Sequence, residues 1–470
     1  MNALTPQRAG LITDLYELTM AAGYWQSGKF RDVATFELSV RSLPPQRSYL
    51  LAAGLEQVVE YLRELRFGPE EIDFLRKHPA LAPVKPEFFD FLAGLRFTGS
   101  VWAVPEGTVV FAEEPLLRVT APIIEAQIVE TYLLAMLTYQ TTVATKASRM
   151  VQVAQGKGIV EFGTRRAHGS HAGWLASRSS FIGGCRGTSN VLAGFDLGIP
   201  TYGTLAHSWM MSFEEEEDAF RQFTQVYGAD SVLLVDTYDS VEGVRKALHG
   251  NLPFRGVRLD SGNFLETSRA VRKILDAAGR ADVQILASGD LNEYAIAELL
   301  GQEAPIDLFG VGTDLVTSRD APALSGVYKL VEIESGGQKR ATAKFSESKI
   351  SYPGAKQVFR FPGRFPGRTA APDGQYDHDV LGLASETYAD AETLLERVIE
   401  NGELVRPLPS LEQLQARAAG NLARMPARHR QLEASDSYPV EKSQALRDLL
   451  ESVRSHYFAA PVAAGGEKKR

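Results

Sequence analysis

The sequence predicts an α/β fold organised on a parallel sheet, closed as an α/β barrel or doubly wound, with a mixed α+β region ahead of it. Three observations carry this. Between residues 159 and 311, β-leaning apolar runs alternate with helical patterns. Several runs, such as 232–235 and 308–311, are short and continuously apolar, as expected of parallel strands covered on both faces. Strand after strand then ends in Asp, Ser, Gly or Thr, and in a parallel barrel those ends share one face.

The first expected element is a helix over 13–24. Asp14 and Glu17 have the spacing of a capping box, and Leu15, Leu18 and Ala22 form an apolar stripe. Residues 33–40 alternate as a strand does, and Pro44-Pro45 ends it. Helical patterns fill 51–65 and 69–77. Residues 97–119 read as short strands with turns at Pro105-Glu106-Gly107 and Glu113-Glu114-Pro115. A long apolar helix is expected over 123–138 and a second over 142–155.

In the alternating region the expected strands are 159–162, 201–204, 232–235, 256–259, 283–287 and 308–311, with helices at 214–226, 240–248, 264–278 and 293–300. The acidic run from Glu214 to Asp218 reads as a solvated helix N-terminus, where negative charge suits the dipole. Beyond residues 326–333, Ser335-Gly336-Gly337-Gln338 reads as a hairpin turn. Residues 352–374 are rich in Pro and Gly and predict loops or a short β unit. An amphipathic helix is expected over 440–457, and residues 461–470 read as a disordered tail.

Bulk properties narrow the function. At 470 residues the chain is long enough for two or three domains and a large core. A net charge of −8 argues against broad nucleic-acid binding while leaving room for a local basic pocket. The single cysteine, Cys185, excludes a disulfide framework or a Cys-rich zinc site, suits a reducing cytosol and reads as a small buried residue. No basic start followed by an apolar run marks a secretory leader. No apolar stretch approaches the roughly 20 residues that span a bilayer.

The chemistry concentrates at the strand ends. In Gly203-Thr204-Leu205-Ala206-His207-Ser208-Trp209 the histidine is flanked by hydroxyls and free backbone N–H groups, a setting suited to taking or giving a phosphoryl group. Most histidines in turns are packing or surface residues, so the weight rests on the neighbouring strand ends. These are Glu161-Phe162-Gly163-Thr164-Arg165-Arg166, Asp236-Thr237-Tyr238-Asp239, Arg258-Leu259-Asp260-Ser261-Gly262, Ser288-Gly289-Asp290 and Gly310-Val311-Gly312-Thr313-Asp314. The last two can present N–H groups to a phosphate, although turn and N-cap formation alone also selects Gly, Ser and Asp. Arg165, Arg166 and Arg258 suit a carboxylate or pyrophosphate, which guanidinium binds bidentately. Asp236 and Asp260 suit Mg²⁺ through water, or ribose hydroxyls. Each charge is equally half of a conceivable structural ion pair. A Schiff-base aldolase is disfavoured, because none of these strand ends carries a lysine. Read from the residues, the chain is a barrel enzyme handling a phosphorylated sugar or nucleotide with Mg²⁺.

Taken in order, five segments closely resemble the nicotinate phosphoribosyltransferase family. They are Thr13-Asp14-Leu15-Tyr16-Glu17-Leu18-Thr19-Met20, Glu161 to Arg166, Gly187-Thr188-Ser189-Asn190, Gly203 to Ser208 and Gly256 to Gly262. The resemblance implies an irregular α/β barrel of the type II phosphoribosyltransferase class, with an additional α+β domain built from N- and C-terminal segments. It divides the chain into an N-terminal α+β domain (1–125), the catalytic barrel (126–345), a C-terminal segment packing back on the first domain (346–460) and the tail. It further implies a homodimer with active sites shared across its interface; a cytoplasmic setting with neither nucleic-acid nor membrane partners is expected from the composition above. The implied reaction is an ATP-coupled ligase reaction that opens NAD salvage: nicotinate and phosphoribosyl pyrophosphate become nicotinate mononucleotide, with Mg²⁺ and a phosphohistidine.

By that resemblance His207 is the phosphorylated residue, and Asp236 and Asp260 serve Mg²⁺ and ribose beside it. Phe162 and Tyr16 sandwich the pyridine ring, Tyr16 reaching in from the second subunit. Arg258 with Thr204 holds the nicotinate carboxylate, and Arg165 the carboxylate or pyrophosphate side. Arg166, Ser288, Gly289, Asp290, Gly312 and Thr313 bind the phosphoribosyl group. The related nicotinamide enzymes carry an aspartate where this chain has Ser189. An aspartate there repels a carboxylate by on the order of a few kcal/mol in a partly dry site, so Ser189 points to nicotinate. Two departures stand out: the chain lacks the zinc-site cysteines of some members, and Asn263 replaces an aspartate common in relatives, so no metal role is assigned there. A quinolinate phosphoribosyltransferase needs a more basic pocket and no phosphohistidine; a non-catalytic relative usually loses the histidine or the arginines.

Overall fold

The structure, a computed structural model, describes residues 8–346, 350–363, 374–433 and 437–458. The expected tail at 461–470 and most of the Pro/Gly-rich stretch after residue 363 lie outside the described residues.

Six parallel strands form one sheet in the order Gly187–Thr188, Gly158–Glu161, Leu308–Val311, Gln284–Gly289, Gly256–Leu259 and Val232–Leu234. Past the first edge, Thr201 bridges Thr188 in parallel. The chain then runs to the opposite edge, where His207 Nδ1 lies 3.1 Å from Thr237 Oγ1, just beyond Val232–Leu234. The sheet therefore closes on itself as an irregular barrel and is not doubly wound. Leu233, Val257, Ile285 and Phe309 share one face by register and are fully buried against Val244, Val271 and Ile296 of the surrounding helices, while Arg258, Ser288 and Gly310 lie on the opposite, inner face. Outside lie Glu216–Tyr227, Ser240–His249, Phe264–Ala277 and Glu293–Gly301, three of them started by side-chain caps from Asp239, Asn263 and Asn292. Asn263 thus has a capping task.

A second, seven-stranded sheet follows the order Gln338–Ala341, Gly326–Ser335, Val33–Val40, Pro115–Pro122, Ser100–Ala103, Glu396–Glu400 and Glu403–Leu404, antiparallel throughout. Early, middle and late segments of the chain share it. The hairpin at 335–338 forms, with Gly336 at φ 59° and Gly337 at φ 79°, as a tight two-residue turn requires. Four further strands, Glu392–Thr393, Lys356–Pro362, Tyr376–Leu383 and Val440–Lys442, make a third sheet. No helix among the described residues is long and apolar enough to cross a membrane.

Several elements differ from the sequence reading. The strand expected at 201–204 shrinks to one bridge, because its partner Gly187–Thr188 is only two residues long. Helices expected at 123–138 and 142–155 are Ile123–Ile128 and Glu130–Val153. The chain bends at Val129, whereas Thr138, Thr142 and Thr145 bond carbonyls one turn back and stay helical. The capping box at Asp14 does not form: the Thr131 hydroxyl, far along the chain, lies within hydrogen-bond distance of both carboxylates, 2.8 Å from Asp14 Oδ2 and 3.0 Å from Glu17 Oε1. Glu216 is not solvated but buried against Lys246 at 3.2 Å, and burial raises its carboxyl above the usual range. Residues 440–442 form a strand before the final helix, Gln444–Phe458. The buried helix Ser170–Ile182 escaped the sequence reading because it is covered on most sides and shows little amphipathic contrast.

One buried ion pair lies between adjacent strands of the third sheet, and its arginine also reaches the two-residue strand Val109–Val110. Arg360 Nη2 lies 2.6 Å from Asp379 Oδ2, both side chains fully buried, and Arg360 Nη1 donates to Val109 O at 2.8 Å. Arg360→Met leaves the Asp379 carboxylate uncompensated and is expected to cost about 3–5 kcal/mol. The double variant Arg360→Met/Asp379→Asn is expected to recover part of that in urea unfolding. Equal losses in the two would refute an electrostatic origin.

Candidate active site

The parallel strands bring their C-terminal ends together, and Arg258 joins them. It leaves the strand Gly256–Leu259 with its side chain mostly buried. Its Nε donates to Ser288 Oγ at 2.7 Å, and its Nη1 to Thr204 Oγ1 at 3.0 Å and Leu205 O at 3.3 Å. Its Nη2 pairs with Asp260 Oδ1. Of five guanidinium N–H donors, one on Nη2 is then left for a ligand. Ser288 donates in turn to Asp260 Oδ1. Burial works against charge on Asp260, but the Ser288 hydroxyl and the Arg258 guanidinium outweigh it and hold this carboxyl below the usual range.

Asp260 passes the order on. Its backbone N donates to Asp236 Oδ2 at 2.8 Å, and Ser261 Oγ does the same at 2.8 Å. The other oxygen, Asp236 Oδ1, is buried with no hydrogen-bond partner among the described residues. It faces His207, whose Nε2 lies 3.9 Å from Asp236 Oδ1 and 3.8 Å from Asp260 Oδ2. The imidazole starts the short helix His207–Met211 and stays 39% exposed, open to a large reactant. A histidine between two carboxylates, with Thr237 on its Nδ1, is equipped to exchange a proton or a phosphoryl group.

Beside this triad opens a cavity of about 230 Å³. Phe162, Arg165, Arg166, Arg258, Asp260, Ser288, Gly289, Asp290, Gly312 and Thr313 all line it, together with Gly310. Arg165 and Arg166 are exposed and have no carboxylate partner among the described residues, so their charge is free for an anion. Gly289 is required by its backbone: φ is 129°, and a Cβ would sit 2.7 Å from Asp260 O. Gly310 makes room for the Phe162 ring, which a Cβ would meet at 2.5 Å. Arg258 Cζ lies 5.7 Å from the centroid of that ring. The lining thus pairs an aromatic platform with cations and glycine backbone.

Family profiles match this architecture along most of the chain. The nicotinate phosphoribosyltransferase family profile matches residues 158–360, its N-terminal domain 11–138 and its C-terminal domain 382–450. The chain is 44% identical over 460 residues to a nicotinate phosphoribosyltransferase of Mycobacterium tuberculosis, covering 96% of this chain and 95% of that one. The chain belongs to the nicotinate phosphoribosyltransferase family. The human nicotinate phosphoribosyltransferase is 33% identical over 530 residues, covering 94% and 96% of the two chains. The crystal structure of human nicotinic acid phosphoribosyltransferase superposes with a TM-score of 0.82 at 31% identity, over 94% of this chain and 100% of that one. A nicotinate-nucleotide pyrophosphorylase from Pyrococcus furiosus gives 0.71 at 27% identity, over 89% and 96%.

Five of the sequence-derived site residues of this phosphoribosyltransferase are not in the cavity lining: Thr204, Asp236 and His207 adjoin it through Arg258 and Asp260, and Tyr16 and Ser189 make no such contact among the described hydrogen bonds and ion pairs. Tyr16 is 47% exposed on the helix Leu15–Gln26. Ser189 stands one residue past Thr188, level with Phe162 on the neighbouring strand, and its N donates to Glu161 O at 2.8 Å. Ser288 lines the cavity, but Arg258 and Asp260 already engage its hydroxyl. The sequence reading missed Glu161 as a support. Its fully buried carboxylate accepts from Ser177 Oγ, Thr188 Oγ1 and Gly163 N, and fixes the turn carrying Phe162 and Arg165. A lone acidic residue ending an apolar strand was the available signal.

Ser288→Ala removes one donor to Asp260. The Asp260 carboxyl is then expected to titrate at higher pH than in wild type. The stability it contributes, present above its unfolded pKa and lost as pH falls through its lowered folded value, shrinks accordingly. A carboxyl-resolved NMR titration checks this, and an unmoved Asp260 resonance would refute the arrangement.

Proposed function

We propose that this chain converts nicotinate and phosphoribosyl pyrophosphate to nicotinate mononucleotide and pyrophosphate, the step that brings nicotinate into NAD salvage. The observation that carries the reading is the cavity itself. An aromatic platform, Phe162, adjoins the Arg258–Thr204 pair, and free arginines and glycine backbone face the same space. The platform suits a pyridine ring, the remaining Nη2 donor suits its carboxylate, and Arg165, Arg166, Gly289, Asp290, Gly312 and Thr313 suit the phosphoribosyl group.

ATP couples to this reaction through His207. An unprotonated imidazole nitrogen attacks the γ-phosphorus of ATP, a N–P bond forms, and the P–O bond to ADP breaks with its electron pair leaving on ADP. Water later attacks the phosphoimidazole, releasing phosphate and restoring the ring. Asp236 and Asp260 flank Nε2 and stabilise the positive charge that the ring takes on. The phosphorylated ring adds negative charge beside the cavity and orders it for pyrophosphate departure.

The residues present fit a Mg²⁺ requirement. Asp236 Oδ1 is buried and unpartnered among the described residues, and Asp260 stays ionised beside it. Asp236 and Asp260 would hold the ion, and with no group of three or more potential ligands among the described residues they would do so together with substrate. When bound, Mg²⁺ neutralises pyrophosphate charge. Tyr16, exposed on its own chain, is read as covering the second face of the pyridine in a homodimer. One buried, unpaired cysteine suits a cytosolic setting.

Nicotinate mononucleotide formation, assayed with Mg²⁺ and with or without ATP, tests the reading. Wild type is expected to be stimulated by ATP and His207→Ala to lose only the stimulation. Undiminished stimulation in His207→Ala would remove the histidine from its role, and no product in wild type would remove the reaction.

Ser189→Asp is expected to raise the nicotinate KM by about tenfold or more, the equivalent of about 1.4 kcal/mol of repulsion. Steady-state kinetics with nicotinate and nicotinamide check it; an unaltered preference would exclude Ser189 as the selector.

A further inference from the structure

Two loops from different strands line the cavity, Ser288-Gly289-Asp290 and Gly312-Thr313. Behind them, six charged side chains form one knot. Lys146 Nζ lies 2.6 Å from Glu293 Oε2, 2.8 Å from Asp320 Oδ1 and 3.9 Å from Asp314 Oδ1. Arg149 Nε donates to Glu293 Oε1 at 3.0 Å, and Arg47 Nη2 to Asp320 Oδ1 at 2.9 Å. Three buried cations meet three carboxylates, and the exposed Arg319 lies 3.8 Å from Asp314 at the outer edge. The side chains of Lys146 and Glu293 are 1% and 0% exposed.

Such a knot is a poor source of stability, because desolvating each ion costs several kcal/mol and apolar replacements are often neutral or better. Its placement is more informative. Glu293 opens the helix that follows the first loop, and Asp314 follows Thr313 in the second. The chain from Asp314 to Asp320 turns back through Ser318 at φ 42°, a left-handed conformation that costs a non-glycine residue on the order of 1 kcal/mol. This return brings both aspartates to Lys146. Lys146 and Arg149 share the rigid helix Glu130–Val153, so each loop is tied to the same rod.

We propose that Lys146 and Glu293 are positioning residues that lock the two loops at one spacing, preforming the cavity for the phosphate groups of phosphoribosyl pyrophosphate. Neither side chain lines the cavity; both act through the segments that do. The proposal rests on the reading of the cavity as the phosphoribosyl site.

The test uses the full chain with Lys146→Met, which keeps the apolar stem, and Asp314→Asn, at the open edge of the knot. Phosphoribosyl pyrophosphate binding is measured by calorimetry, the KM of each substrate by steady-state kinetics, and folding by circular dichroism. For Lys146→Met the dissociation constant and KM of phosphoribosyl pyrophosphate are expected to rise at least about tenfold, with the nicotinate KM within about twofold. Asp314→Asn is expected to move the same constants in the same direction by less. A parallel rise in both substrates' KM, or unchanged phosphoribosyl pyrophosphate binding in folded Lys146→Met, would overturn the proposal. If Lys146→Met does not fold, Asp314→Asn decides alone, and unchanged binding there overturns it. A wild type that binds no phosphoribosyl pyrophosphate overturns the cavity reading and this proposal with it; a wild type that binds it, with variants that bind it equally well, overturns the proposal by itself.

Discussion

Arg258 spends its donors on Ser288, Thr204, Leu205 and Asp260, and through them fixes three separate stretches of the barrel mouth. Hydrogen bonds to a charged group contribute about 1.5–3 kcal/mol each, so this side chain stabilises the mouth more than any neutral contact would. The order is transitive. Asp260, held by Arg258 and Ser288, aims its backbone N–H at Asp236, and Asp236 turns its unpartnered oxygen toward His207. The imidazole thus receives its surroundings from a guanidinium it does not touch. A lysine could not substitute, since a point charge lacks the planar fork that reaches three directions at once.

The same device recurs where segments distant in sequence meet. Arg178 is fully buried and pairs with Glu106 at 2.7 Å and Glu56 at 2.7 Å, joining a helix beside the barrel to the early part of the chain. Arg360 pairs with Asp379 on the adjacent strand and reaches Val109 outside that sheet. Apolar surface alone drives such segments together without selecting a register, whereas a buried fork tolerates one alignment. The knot behind the two cavity loops follows the same logic closer to the chemistry, where spacing matters most.

Local chemistry was legible in the sequence and long-range chemistry was not. The strand ends could be read because Gly-Thr, Ser-Gly-Asp and Arg-Leu-Asp-Ser-Gly announce turns by composition, and ten predicted residues converge on one cavity. The hairpin at Gly336-Gly337 was legible for the same reason. Asp14 and Glu17 misled because a capping box is judged from four residues, while the competing donor, Thr131, arrives from another helix. Glu216 misled because its partner, Lys246, lies thirty residues on. Gly187–Thr188 carries no periodicity at two residues, although it sets the barrel edge. Closure of the barrel depends on a single bridge at Thr201 and on contacts at His207, which no pattern within a strand encodes.

The cavity separates its cations by exposure, and this separation assigns them different work. Arg165 and Arg166 are open to water, so they attract a highly charged ligand from a distance but yield to salt. Arg258 is mostly enclosed and nearly saturated, so it adds direction more than attraction: one Nη2 donor, on a guanidinium whose Cζ lies 5.7 Å from the Phe162 centroid. A ring stacked on Phe162 therefore meets a single oriented donor at its edge, and what stands beside that edge decides between a carboxylate and an amide. Under the proposed reading Ser189, level with Phe162 and uncharged, would leave a carboxylate unopposed. The second face of such a ring finds no aromatic partner in the cavity lining, while Tyr16 presents one outward from the far end of the chain. In the proposed homodimer a second copy of the chain would supply that face, which would tie completion of the site to assembly.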